Sequence, residues 1–134
     1  MSRSDITEKL VRHGVSPTPQ RLEVAAILFE RPQHLSADQI IGRLRGGGSR
    51  VSKATVYNTL HLFSERGLVR ELHVDPSRIF FDSTTHNHHH FYNADTGELS
   101  DIPASEVAIM GLPPLPEGTQ QESVEVLIRV REKR

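Results

Sequence analysis

The segment Ser52-Lys53-Ala54-Thr55-Val56-Tyr57-Asn58-Thr59-Leu60-His61 decides the fold. Within it and just beyond it, Val56, Leu60 and Phe63 recur at the i, i+4, i+7 spacing of a buried helix face. The segment opens on a serine, a residue preferred at a helix N-cap, and Gly67 follows as a C-terminal stop. The pattern predicts an amphipathic helix that buries one side and leaves a polar side open.

Three helices are predicted upstream of this one. The first runs from about Asp5 to His13, and the second opens with Thr18 as N-cap and Pro19 at the first helical position. The segment 36–39 has the S-x-x-Q form of a capping box and starts the third helix, which ends at three consecutive glycines.

Two strands are predicted downstream, over 68–74 and 78–82, joined by the turn Asp75-Pro76-Ser77. Four helices followed by a hairpin predict a winged helix-turn-helix over residues 1–83. The wing therefore completes the first domain.

Residues 84–134 are predicted to form a second, small domain. Candidate strands cover 90–93 and 99–102, one or two helical turns cover 107–112, and the final segment 120–134 finishes an antiparallel sheet. Because about fifty residues bury little apolar area alone, we expect a homodimer. The predicted class is α+β, a winged helix-turn-helix domain followed by a small α/β domain.

The composition is that of an ordinary globular chain. Hydrophobic residues make up 36%, charged residues 25%, and the mean hydropathy is -0.41. No apolar run approaches a membrane span, and the first ten residues lack an export signal, so a cytoplasmic location is expected. Cysteine is absent, which excludes disulfides and any thiolate-ligated metal.

Charge is distributed unevenly along the chain. Residues 1–83 carry a net +3 and residues 84–134 a net -4, which gives the formal total of -1. The local basic excess around the fourth helix favours contact with DNA phosphates, although a polar helix face is most often merely solvated. The candidate DNA-binding residues are Arg21, Arg50, Ser52, Lys53, Thr55, Tyr57, Asn58 and His61.

The strongest chemical feature is the run His86-Asn87-His88-His89-His90. On an extended chain His88 and His90 point to one side, so this pair can hold one metal ion. His34, in a predicted loop, with Asp82 and Asp101 would complete a set of three imidazoles and two carboxylates. Such a set suits Fe²⁺, Mn²⁺ or Zn²⁺.

Other interpretations of these features stay open at this point. The histidines could form a surface cluster without a ligand, or the site of a small metal-dependent hydrolase or oxygenase. A dimer that only buffers metal is a third alternative, which leaves the basic helix unexplained. We expect no enzyme, because no second acid or base is placed beside the candidate ligands.

Several motifs together resemble the ferric uptake regulator family of metal-responsive repressors. They are His34-Leu35-Ser36-Ala37-Asp38, the helix segment 52–60, Gly67-Leu68-Val69, and Asp82 followed by 88–92. The resemblance implies a dimeric DNA-binding repressor that reads an inverted-repeat operator in double-stranded DNA. It also implies that residues 84–134 form a dimerisation and metal-sensing domain. The implied regulatory site holds one divalent ion (Fe²⁺, Mn²⁺ or Zn²⁺) per subunit, at His34, Asp82, His88, His90 and Asp101. The family's cysteine-ligated structural zinc has no counterpart here.

Within the family, the sheet and C-terminal segment look most like the iron response regulator branch, which controls iron and haem homeostasis genes. This resemblance implies that haem is a second candidate cofactor, with His89 as a haem or second-site ligand. Asp101 also fits the peroxide-sensing branch, in which Fe²⁺ reacts with peroxide and histidines matching His34 and His88 are oxidised. The sequence leaves both branches open.

Overall fold

The computed structural model describes residues 1–134, which form two compact units, Met1–Thr85 and His86–Arg134. The sequence placed this boundary two residues earlier. No helix in the structure is both long and apolar enough to cross a lipid bilayer.

The first unit contains four helices and three strands. In chain order they are α1 (Arg3–Arg12), α2 (Pro19–Leu28), β1 (His34–Ser36), α3 (Ala37–Gly46), α4 (Lys53–Glu65), β2 (Arg70–Asp75) and β3 (Arg78–Asp82).

The helix starts follow local capping chemistry, as predicted. The Thr18 hydroxyl accepts the backbone N–H of Arg21 at the start of α2, and Ser36 and Gln39 form a reciprocal capping box on α3. A second capping box, between Ser2 and Asp5, starts α1 two residues earlier than the sequence predicted.

One apolar core holds the four helices together. Leu10, Leu28, Ile40, Leu60 and Phe63 are fully buried in it, and the rings of Phe29 and Phe63 lie 6.4 Å apart. Because α4 buries its predicted apolar face here, its opposite face is directed to the outside of the unit.

The wing is a three-stranded antiparallel sheet of order β1-β3-β2. The sequence predicted a hairpin of two strands and a loop at the position of β1. The prediction of a loop is wrong, because β1 adds a strand to the hairpin. A strand of three residues carries no periodicity of its own and exists only through its pairing with β3, about fifty residues away. That pairing sets His34 directly opposite Asp82.

The second unit contains a three-stranded sheet of order β5-β4-β6. Its strands are β4 (His89–Asn93), β5 (Leu99–Ile102) and β6 (Leu127–Val130), with a short 3-10 turn over Ala104–Glu106. β4 pairs with β5 in antiparallel and with β6 in parallel orientation.

Three details of this unit differ from the sequence prediction. The sheet is mixed rather than antiparallel, because the long connection from β5 returns the chain in the direction of β4. The final strand is shorter than predicted, since β4 pairs with only four of its residues. The turns predicted over 107–112 are not helical, because the segment is short, contains Gly111 (φ 75°) and is followed directly by a proline pair.

Candidate metal centre and nucleic-acid interface

Strand pleating and register bring three side chains of the second unit together. His88 and His90 are two residues apart and share a face, and His90 pairs with Asp101 across β4 and β5. The Nε2 atoms of His88 and His90 lie 3.5 and 3.2 Å from the same Asp101 Oδ1. The two imidazole rings are 4.5 Å apart.

A backbone carbonyl sets the tautomer of His88. Its Nδ1 lies 2.8 Å from the carbonyl oxygen of His86, which can only accept a hydrogen bond. Nδ1 therefore carries a proton, which leaves Nε2 as the ring nitrogen that lies near Asp101. This is the outer-sphere arrangement that orients histidines in metal sites.

The three atoms form a compact set that could share one positive charge. Both histidines are buried, with 5% and 4% of their surface exposed, whereas the Asp101 side chain is 53% exposed. A proton or a divalent ion would supply that charge. Two nitrogens and one oxygen are a donor set that Fe²⁺, Mn²⁺ and Zn²⁺ accept, so the residues present fit the predicted cofactor.

The other two predicted ligands lie in the first unit, side by side in the wing. Asp82 is 1% exposed, and its Oδ1 accepts the backbone N–H of Thr84 at 2.8 Å. His34 is half-buried opposite Asp82, with its ring edge-on to Phe80. The structure thus groups the five predicted ligands as a pair in one unit and a triad in the other.

His89 lies on the opposite face of β4 from the triad. Its ring is buried, and Nδ1 accepts the backbone N–H of Val126 at 2.9 Å. This contact ties the chain preceding β6 to β4. Because Nδ1 is occupied by this hydrogen bond, a haem or a second metal ion would have to bind His89 through Nε2.

Most of the predicted DNA-binding residues lie on the open face of α4. Ser52 and Thr55 also cap the helix: the Ser52 hydroxyl accepts the Thr55 N–H and donates to the Thr55 hydroxyl. Arg21 donates to the carbonyl of Ser16. Of the predicted DNA-binding residues, those classed as exposed are Arg50, Ser52, Lys53, Tyr57, Asn58 and His61.

Two neighbours of the predicted site residues escaped the sequence analysis. The carbonyl of His86 has no sequence signal, because any residue could supply it. Glu71 of β2 lies 3.4 Å from His61 of α4, and only the packing of the wing against the helix reveals this pair.

A four-helix core with a three-stranded wing defines a winged-helix protein, and the second unit adds a histidine–carboxylate cluster. Residues 12–112 match the ferric uptake regulator family. The chain belongs to this family, as its motifs predicted. Because the family consists of regulators, the expectation that the protein is not an enzyme is confirmed.

Two relatives are peroxide-responsive repressors named PerR. The protein from Staphylococcus saprophyticus is 36% identical over 98 residues, which cover 73% of this chain and 66% of the relative. The protein from Staphylococcus aureus is 38% identical over 89 residues, which cover 66% of this chain and 60% of the relative. The chain therefore spans less than two thirds of these relatives.

Solved structures confirm the α+β fold class. The ferric uptake regulator of Pseudomonas aeruginosa, solved with manganese, superimposes with a TM-score of 0.74 at 25% identity, over 96% of this chain and 98% of that one. The regulator of Vibrio cholerae gives 0.73 at 23% identity, over 93% and 98% of the two chains.

Proposed function

We propose that the protein is a metal-responsive, DNA-binding transcription regulator that acts as a homodimer. The observation that carries this proposal is the convergence of two imidazole nitrogens on one carboxylate oxygen, in a chain that also presents a polar helix face. The group of candidate metal ligands without the helix would suit a protein that only buffers metal. The helix without the ligands would suit a DNA-binding protein that metal does not regulate.

In this proposal the open face of α4 contacts DNA. Lysine and arginine contact phosphates, whereas Asn58 can pair with an adenine edge in the major groove. A dimer places two such helices about 34 Å apart, which suits an inverted-repeat operator. Arg21 and Arg50 would contact the DNA backbone beside the helix.

The proposed regulatory site consists of His34, Asp82, His88, His90 and Asp101. When bound, a divalent ion would supply positive charge among these imidazole and carboxylate groups. The chain contributes ligands from both units, so an ion held by all five would favour one relative arrangement of the units over others. Such an ion shifts the operator affinity only to the extent that it binds one arrangement more tightly.

The test is operator binding with and without metal. Fluorescence anisotropy on an inverted-repeat DNA is measured after chelation and after addition of Mn²⁺, for wild type, His90→Ala and the control His13→Ala. We expect Mn²⁺ to change the affinity of wild type and of the control at least tenfold and to leave His90→Ala unchanged. Equal affinity of all three proteins with and without Mn²⁺ would refute metal control.

For the signal, we propose peroxide sensing through bound iron. Two observations support this mode: relatives named as peroxide-responsive repressors, and an aspartate at position 101 of the cluster. Bound iron would supply the redox chemistry, and His34 or His88 would be the oxidised side chain. After treatment with Fe²⁺ and peroxide, we expect mass spectrometry to find one added oxygen on a peptide that contains either histidine. An unmodified protein that releases its operator would contradict this mode.

Control of iron and haem genes by haem is the second candidate, supported by the run of three consecutive histidines. His89 would have to bind haem through Nε2, since Nδ1 accepts the N–H of Val126. A haem titration distinguishes the two modes. A Soret shift that is lost in His89→Ala, without oxidation of His34 or His88 by peroxide, would favour haem sensing.

A further inference from the structure

A glutamate of the wing lies directly beside the helix face that is proposed to contact DNA. Oε1 of Glu71, on β2, is 3.4 Å from Nδ1 of His61, on α4. This oxygen is buried and has no hydrogen-bond partner, although the side chain as a whole is 24% exposed. A buried carboxylate oxygen without a partner is costly, because it has lost its hydration. The stability of the wing therefore does not account for this carboxylate.

The position of His61 along α4 indicates which part of the DNA it would meet. In a recognition helix the N-terminal residues contact base edges in the major groove. His61 lies eight residues after Lys53, the first residue of α4, which places it about 12 Å further along the helix axis. Because the major groove is about 12 Å wide, we expect this side chain at the phosphate backbone that borders the groove. The ring is 61% exposed and can reach a phosphate from there.

A carboxylate beside an imidazole favours the form of the ring that binds a phosphate. The Glu71 oxygen can only accept a hydrogen bond, so it favours a proton on Nδ1 of His61. In the charged imidazolium both ring nitrogens carry protons, and Nε2–H becomes a charged donor for a phosphate oxygen. Negative charges on both sides of the ring would stabilise this charged form.

The other groups around the ring carry charges of both signs. Oε2 of Glu71 lies 3.6 Å from Nε2 of His73, which would share the negative charge of this carboxylate when protonated. A cleft of about 510 Å³ opens beside His61, between α4, the start of α3 and the wing, and its titratable and charged lining residues are Asp38, Tyr57, His61 and Arg78. The charges of Asp38 and Arg78 have opposite effects on the ring, whereas Glu71 lies within ion-pair distance of it.

We propose that Glu71 is a positioning residue for operator binding, which keeps His61 protonated against a DNA phosphate. This inference rests on the proposed function, because it concerns the same helix face. It implies that a negative charge in the wing strengthens DNA binding, although a negative charge near phosphates ordinarily weakens it. The sign of the effect therefore separates the proposed role from simple repulsion.

The test is fluorescence anisotropy on an inverted-repeat DNA, for wild type, Glu71→Gln, His61→Gln and the double variant, between pH 6 and pH 8. It uses the metal state, chelated or Mn²⁺-bound, in which wild type binds more tightly. His61→Gln should weaken binding at least about tenfold at pH 6, because each protomer loses a charge-assisted hydrogen bond. Glu71→Gln should weaken binding at least about threefold at pH 8 and less than about twofold at pH 6, since an ordinary imidazole is mostly protonated at the lower pH. In the His61→Gln background, Glu71→Gln should no longer weaken binding.

The matched control is Glu65→Gln. It removes the same charge from an exposed position on α4, one helical turn beyond His61. This change should strengthen binding or leave it unchanged, because it only relieves repulsion of the phosphates. Comparison of each variant with wild type at the same pH removes the contribution of other titrating groups, including the proposed regulatory ligands.

Two further measurements separate positioning from a structural effect. Helical circular dichroism checks that each variant retains the first unit, which contains all four α-helices. The ring nitrogen NMR signals of His61 at pH 8 should report protonation on addition of operator in wild type but not in Glu71→Gln. Equal or tighter binding by Glu71→Gln at pH 8, or a loss that is the same at every pH and persists in the His61→Gln background, would overturn the inference. A wild type that does not bind operator would refute the proposed function and this inference together.

Discussion

Replacement of Ser52 by alanine separates the structural role of this residue from its proposed role at DNA. Its hydroxyl accepts the N–H of Thr55 at 3.1 Å and thereby caps α4. Loss of an N-cap of this type costs about 1 kcal/mol, within a range of roughly 0.5–2 kcal/mol. The second bond, from the hydroxyl of Ser52 to that of Thr55, is exposed, so water replaces it at little cost.

The expected shift in melting temperature follows from the size of the first unit, Met1–Thr85. An unfolding entropy of about 2.1 cal/mol/K per residue gives this unit roughly 0.18 kcal/mol/K, so a loss of 1 kcal/mol lowers its melting temperature by about 5–6 °C. Circular dichroism at 222 nm follows this unit selectively, because it contains all four α-helices.

The matched control is Ser52→Asp. Aspartate caps a helix as well as serine does, and its charge is favourable at a helix N-terminus, so the melting temperature should stay near that of wild type. The added negative charge should nevertheless weaken operator binding, because the residue lies on the face proposed to meet phosphates. A melting temperature of Ser52→Ala within about 1 °C of wild type would refute the capping argument, as would equal instability of the two variants.

Three further predictions concern the first unit. Phe63→Ala, at a fully buried position of the core, should cost about 3–5 kcal/mol in urea unfolding, and a loss below about 1 kcal/mol would contradict the packing described here. Hydrogen bonds from Ser2 lower the pKa of Asp5 below its usual 3.8, so its stabilising effect is present above that pH and is lost as the pH falls through the lower folded value. Wild type should therefore exceed Asp5→Asn in stability near neutral pH and match it in strong acid, and a gap that persisted in acid would exclude this linkage. Gly14 has φ 75°, and a Cβ there would lie 2.7 Å from the movable Nη1 of Arg66, so Gly14→Ala should cost about 1–2 kcal/mol through the backbone, which thermal denaturation would detect.

Local chemistry made the helices of this protein predictable. The caps at Thr18, Ser36 and Ser52 act through side-chain and backbone atoms three residues apart, so the sequence contains the whole interaction. The apolar spacing in α4 likewise repeats within one helix. The family motifs added the expected ligand set and the regulator class.

Pairing between segments that are distant in the sequence decided the arrangement of the strands. His34 became a neighbour of Asp82 only because β1 pairs with β3, and β6 lies parallel to β4 only because of a long return of the chain.

The candidate sites divide in the same way between sequence and structure. The spacing of His88 and His90 predicted that they share a face, since alternation is a property of one strand. Their approach to Asp101 required the register between β4 and β5, and the approach of Glu71 to His61 required the wing to pack on a helix. The sequence by itself therefore determined which residues could bind and which helices would form. Only the tertiary structure decided which side chains meet, because contacts between distant segments depend on register and packing that no local pattern encodes.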